Sequence, residues 1–218
     1  MKPIILYSHR HGPNPWKVAL VLEELNVPYK SEFLEFKAVK EEPFTLLNPN
    51  GRVPAIEDPN TGVTLWESGA ILEYLIEQYD KDHKISYAEA PETYLTKQWL
   101  FFQVSGQGPY YGQATWFTLY HPEKLPSAIK RYVDEIHRVM GVLEKALEKG
   151  DWLVWDKCTY ADLSFLPWQR PVPKFTGEDV YEKFPKVGAW MRRMESRPAV
   201  RKVIEVQNAA IAEVEGKS

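Results

Sequence analysis

Three short stretches place polar groups where helices can begin, and each suggests a chemistry. In Gly12-Pro13-Asn14-Pro15 an amide stands between two prolines, just ahead of the apolar-periodic run WKVALVLEEL. An amide N–H beside the N–H groups of a helix start favours an anion, because the donors and the helix dipole both face it. The same asparagine suits a helix cap, and Pro15 suits a first helical position; the two roles are compatible. In Trp66-Glu67-Ser68 a carboxylate that can hold an ammonium precedes a hydroxyl and helix-start N–H groups that can hold a carboxylate. That pair reads equally as an N-cap with a first-turn acid. Between the two, Arg52-Val53-Pro54 has the pattern of an ordinary loop-to-strand entry.

Other reactive side chains have plainer readings. His9 and His11 alternate, so both can face one side of an extended segment, but no third ligand accompanies them and no metal site is expected. The single cysteine, Cys158, excludes an intrachain disulfide and a cysteine-rich metal site, and reads as a small apolar group. Thr159 and Asp162 have capping-box spacing, a folding signal rather than a catalytic pair.

The elements that must position these groups fall into two halves. To about Tyr79 the chain alternates strand-like and helix-like runs. IILY is a short buried strand, Val18, Val21, Leu22 and Leu25 recur at helical spacing, and YKSEFLEF is a second strand. VPAIED and VTLW flank the turn-rich PNTG as a hairpin. Ile71, Leu72, Leu75 and Tyr79 share a helical face. The polar DKDHK suits a linker. Beyond it no strand pattern stands out. Val133, Ile136, Met140, Leu143 and Leu147 keep the helical period up to Gly150, TYADLSFLPW opens another helix, and PKVGAWMRRMESR forms a third, closed by Pro198. The expected organisation is an α/β domain over 1–80, a linker over 81–90 and an all-α domain over 91–218. A net charge of −3 in 218 residues implies no strong pull toward nucleic acid or anionic lipid. No apolar run reaches membrane-spanning length, and MKPIILYSH lacks the long apolar region of a signal peptide, so a cytoplasmic protein is expected.

Four motifs in order, SHRHGPNPWKVALVLEEL, NPNGRVPAIED, WESGAILEYL and DKCTYADLSFLPW, resemble the cytosolic glutathione transferases over nearly the whole chain. GPNPWKVALVLEEL, WLFFQVSGQGP and SAIKRYVDEIHRVMGVLEKAL are most similar to the fungal class related to the nitrogen-catabolite regulator and to the kindred bacterial Nu class. The resemblance implies a thioredoxin-like first domain, a mixed sheet with helices that binds glutathione, followed by a helical domain. Where a thioredoxin carries its dithiol this chain has Gly12 to Pro15, so a borrowed thiol, that of glutathione, meets Asn14 and the nearby N–H groups. Val53 pairs its backbone with the cysteinyl part, and Pro54 is expected to be cis. Glu67 takes the γ-glutamyl ammonium and Ser68 its carboxylate. KAVKEEPF is shorter than the family's stretch there and lacks its histidine, leaving Lys40 or Arg52 for the glycyl carboxylate.

Tyr7 and Ser8 occupy the places where other transferase classes keep a thiol-activating hydroxyl, and stand behind Asn14. The Gly- and Pro-broken SGQGPYYGQATWFTLY can line a second-substrate cleft through Trp116 and Tyr120, and Arg131 resembles a cleft-facing arginine. The implied activity uses glutathione as co-substrate, without a metal, against small electrophiles, disulfides or peroxides, as in detoxification. A glutathione-binding regulator with little turnover is the alternative. A homodimer is implied as well.

Overall fold

The computed structural model describes residues 1–176 and 180–216. In chain order its elements are β1 (Ile4–Ser8), α1 (Pro13–Glu24), β2 (Tyr29–Phe33), a 3-10 turn at Ala38–Lys40, α2 (Phe44–Leu47), β3 (Ala55–Asp58), β4 (Val63–Trp66) and α3 (Ser68–Tyr79). Then come α4 (Glu92–Phe102), α5 (Gly108–Thr115), α6 (Pro126–Ala146), α7 (Tyr160–Gln169), α8 (Val172–Thr176), α9 (Val180–Lys183), α10 (Pro185–Glu195) and α11 (Pro198–Glu215). The chain divides into two compact units, Met1–Ile85 with Glu195–Ser218, and Ser86–Met194.

In the first unit the sheet order is β2-β1-β3-β4, with β1 parallel to β2 and the other pairs antiparallel. The parallel pair needs a crossover, and α1 supplies it. Ile4 and Leu6 alternate inward from β1, and with Val18, Leu22, Ile56, Ile71, Leu72 and Leu75 they are at most 1% exposed, so they form the core. Each such side chain contributes about 1.5–3 kcal/mol by leaving water. Helix α1 is buried from Pro15 to Leu22, with the charged Lys17 enclosed among apolar neighbours. α11 packs on it: Arg197 donates from Nε and Nη2 to the two carboxylate oxygens of Glu24, at 2.6 and 2.9 Å. Pro198 therefore opens α11 rather than merely ending α10. A residue without an N–H is well suited to a first helical position.

The described residues of the second unit hold helices and no strand. The stretch expected to be broken by Gly and Pro is instead helical. α4 runs through a wider, i→i+5 turn at Gln103–Gln107 into α5, and a second such turn spans Trp116–Tyr120. Pro109 follows the first of these turns and stands in the opening turn of α5. The core contains Ile136, Met140 and Leu143 from α6, with Phe165 and Trp190. Asp162 ties it together. Its Oδ2 accepts the Thr159 N–H (2.8 Å) and hydroxyl (2.9 Å), while Oδ1 accepts Leu153 N–H (3.0 Å) and Trp190 Nε1–H (2.9 Å).

Candidate functional site

Strand register brings the separated motifs of the first unit to one end of its sheet. Tyr7 pairs with Ala55, and Ala55 pairs with Trp66. The end of β1, the start of β3 and the end of β4 are therefore neighbours. From these three strand ends the chain leads to Asn14, to Val53–Pro54 and to Glu67–Ser68. The Val53–Pro54 peptide is cis, as expected.

Glu67 has φ 73° and ψ 116°. A non-glycine residue in that region costs about 1–3 kcal/mol, a strain typical of functional sites. Its side chain is exposed, whereas Ser68, the first residue of α3, is only 6% exposed. Neither Asn14 nor Ser68 caps its helix. The cap positions belong to Gly12 and Glu67, and neither makes a side-chain cap hydrogen bond. Helix α1 starts earlier than the sequence suggests, with Pro13 rather than Pro15 as its first residue and Asn14 as its second. This has a chemical consequence. Pro13 and Pro15 carry no N–H, so Asn14 is the sole residue among the first three of α1 with N–H groups to direct at an anion.

The corner leading into α1 is held firmly. The Gly12 N–H donates to the His9 carbonyl (3.2 Å), and Trp16 Nε1–H donates to the Arg10 carbonyl (3.0 Å). Arg10 pairs with Glu35 at 2.9 Å and lies over the Phe33 ring. His9 stacks on Phe36 with ring centroids 3.8 Å apart, and its Nδ1 accepts the His11 N–H at 3.2 Å. Burial pulls the His9 pKa below the usual imidazole value. Tyr7 packs edge-on to Phe44 in the cluster of Val39, Phe44 and Ala55. Its hydroxyl donates to Glu57 at 3.4 Å, and burial followed by the Glu57 charge raises its pKa. Such a phenol is a poorer proton donor to a thiolate than an ordinary one. Ser8 is buried on the opposite face of β1.

The loop before β3 is organised by Asn48, which the sequence reading did not single out. Its Nδ2 donates to the Arg52 carbonyl at 2.6 Å, and its Oδ1 accepts the Asn50 N–H at 2.9 Å. Gly51 sits at φ 60°, and a Cβ there would lie 2.8 Å from the Val39 carbonyl and 3.5 Å from Lys40 Nζ. The Lys40 ammonium thus lies over the chain just before Arg52 and Val53. Arg52 is exposed and Val53 half-buried.

A second residue that the sequence reading passed over is Lys17. It lies one turn beyond Asn14 on the same face of α1, is 1% exposed, and its Nζ donates to Ser68 Oγ at 3.4 Å. Burial brings its pKa down to about 7, against the pull of Glu67. The available signal was a charge inside an otherwise apolar helical run.

In the second unit Trp116 and Tyr120 are exposed neighbours with ring centroids 6.2 Å apart. Arg131, exposed on α6, pairs with Glu135 at 3.6 Å. Cys158 is buried and Asp162 fully so, as their packing and capping readings require. An open groove of about 630 Å³ is lined by Tyr87, Glu92, Lys149, Trp155 and Asp156, none of them a candidate from the sequence. Among the described residues no group of three or more His, Cys, Asp or Glu is placed to hold a metal ion. Among the described residues no helix is long and apolar enough to cross a membrane.

Comparison with known proteins supplies the family context. Residues 2–77 match the family model "Glutathione S-transferase, N-terminal domain", and residues 109–198 match "Glutathione S-transferase, C-terminal domain". The glutathione S-transferase-like protein tpcF of Aspergillus fumigatus is 52% identical over 214 residues, covering 93% of this chain and 95% of that protein. The crystal structure of glutathione transferase URE2P6 from Phanerochaete chrysosporium, solved with oxidized glutathione, superposes with TM-score 0.92 and 51% identity. That match covers 95% of this chain and 97% of the other. Ure2p5 of the same fungus, cocrystallized with 1-(S-glutathionyl)-2,4-dinitrobenzene, gives TM-score 0.89 and 40% identity, covering 97% of each chain.

Proposed function

We infer that this chain, which belongs to the glutathione S-transferase family, binds glutathione at the sheet end described above and turns its thiol over as a nucleophile. The observation that carries the reading is the register of Tyr7, Ala55 and Trp66, which groups an anion-favouring helix start, a strand-edge backbone and an acid–hydroxyl pair. Each matches one part of the tripeptide. Asn14 and the start of α1 hold the sulfur as thiolate. The Val53 backbone pairs with the cysteinyl peptide as an added strand would. Glu67 takes the γ-glutamyl ammonium and Ser68 its carboxylate. Lys40, whose ammonium lies over Gly51, takes the glycyl carboxylate, with Arg52 as its exposed neighbour.

The held thiolate then attacks a small electrophile. With 1-chloro-2,4-dinitrobenzene a C–S bond forms, the C–Cl bond breaks and chloride leaves. With a mixed disulfide, the thiolate forms a new S–S bond and expels the partner thiol as thiolate. Trp116, Tyr120 and Arg131 are proposed contacts for the second substrate. The functional assembly is proposed to be a homodimer, and sedimentation giving only the 25.3 kDa monomer at micromolar concentration refutes that assembly.

Two measurements test the function. Calorimetric titration with glutathione should show saturable binding, and steady-state assays should show turnover of the dinitrobenzene, of a glutathionyl mixed disulfide, or of both. Binding without turnover of either substrate makes the chain a glutathione-binding regulator instead. No binding removes the assignment altogether.

A further inference from the structure

A lysine buried to 1% exposure is expensive to keep charged, and such groups persist where a partner or ligand requires them. Lys17 donates from Nζ to Ser68 Oγ at 3.4 Å. It stands one turn beyond Asn14 on α1 and reaches the first residue of α3, so it links the starts of the two helices. Glu67, beside Ser68, is the carboxylate whose charge reaches it, and its pKa of about 7 leaves it able to gain a proton when more negative charge arrives.

We propose that Lys17 is a positioning residue for the α-carboxylate of the γ-glutamyl group. It acts through Ser68 and rests on the glutathione reading above. By donating to Oγ, its ammonium occupies the acceptor side of the hydroxyl, so the Ser68 proton is directed outward to the ligand. Its charge also answers an electrostatic need. The amino-acid end of glutathione brings one ammonium and one carboxylate to a place that already holds the Glu67 carboxylate. Without Lys17 two negative charges face one positive charge; with it the set is neutral. The site thereby selects a zwitterionic amino-acid end over a simple amine.

The test compares glutathione with 4-aminobutyryl-cysteinyl-glycine, which differs only in lacking the α-carboxylate. Calorimetry on wild type, Lys17→Met and Lys17→Gln should show a ten- to hundredfold loss of glutathione affinity in both variants. Affinity for the decarboxylated analogue should stay within about twofold of wild type. In turnover assays KM for glutathione should rise while kcat at saturation is kept. A wild-type measurement covers the case in which neither variant folds. In protein carrying ¹³Cε-lysine, the lysine signal that titrates near pH 7 should move to higher pH with S-methylglutathione and stay in place with the S-methylated decarboxylated analogue. Equal weakening of both ligands, unchanged glutathione affinity in a folded variant, or a lysine titration indifferent to the α-carboxylate each overturns the proposal. A wild type that binds neither ligand overturns the function proposed above, and this inference with it.

Discussion

Replacing Asn14 by alanine removes one side-chain amide and leaves every backbone N–H of α1 in place. A cysteine thiol ordinarily titrates at about 8.5, and a site that lowers this by about two units must favour the anion by about 2.7 kcal/mol. The start of α1 has few donors for that task, because Pro13 and Pro15 contribute none. One hydrogen bond to a charged group is worth roughly 1.5–3 kcal/mol, so the amide supplies about one to two units of the shift. Asn14→Ala should therefore raise the apparent pKa of kcat/KM by about that much. The sign follows from thiolate fraction. Below the wild-type pKa the variant should be slower by roughly three- to tenfold, because the lost thiolate fraction is partly offset by the greater nucleophilicity of a less stabilised thiolate. Above the variant's own pKa the deficit should vanish, since a less stabilised thiolate is intrinsically the better nucleophile. Glutathione binding should fall less than turnover, because the lost contact belongs to the charged sulfur. Stability should change little, since Gly12 occupies the cap and Asn14 does not. The assay is a pH–rate profile for wild type, Asn14→Ala, Ser8→Ala and Tyr7→Phe with the dinitrobenzene substrate. If Asn14→Ala keeps the wild-type profile while Ser8→Ala or Tyr7→Phe shifts it, the asparagine has no part in holding the thiolate.

Ser68→Ala should weaken glutathione binding about ten- to hundredfold by calorimetry, because a carboxylate loses a charge-assisted partner; an unchanged Kd removes Ser68 from the site. Glu67→Gly should separate stability from binding. It relieves a backbone strained at φ 73°, so Tm should rise by a few degrees while glutathione affinity falls, and a lowered Tm contradicts the strain argument. Asp162→Ala leaves the Leu153, Thr159 and Trp190 donors without their acceptor. The expected loss is about 4 kcal/mol or more, a fall in Tm of about 10 °C by thermal melting; a shift of only a degree or two shows that water replaces the carboxylate.

Much of the fold is legible in local sequence because short-range preferences decide it. The alternation in IILYS, the turn residues of PNTG and the apolar spacing of Val18, Val21 and Leu22 each specify an element through the side chains' own periodicity. Thr159 and Asp162 announce their helix start in the same way. The family's motifs likewise lie in contiguous stretches, so Asn14, Val53, Glu67 and Ser68 could be nominated without coordinates.

What lay beyond the sequence depends on contacts between distant residues. The local sequence marks Pro198 as an end, yet it opens the helix whose neighbouring Arg197 pairs with Glu24, 173 positions away. Periodicity carries no information about which helix a later one returns to. The caps differed by a residue or two, because Gly12 and Glu67 hold those places through backbone geometry rather than side-chain type. Lys17 shows the limit most clearly. In the sequence it is a single charge in an apolar run, a pattern that marks the residue but not its burial or its partner. Only packing α1 against α3 removes it from water and sets its ammonium against Ser68, 51 positions along the chain. Burial and proximity, which give a charge its energetic weight, belong to the folded chain and not to any stretch of it.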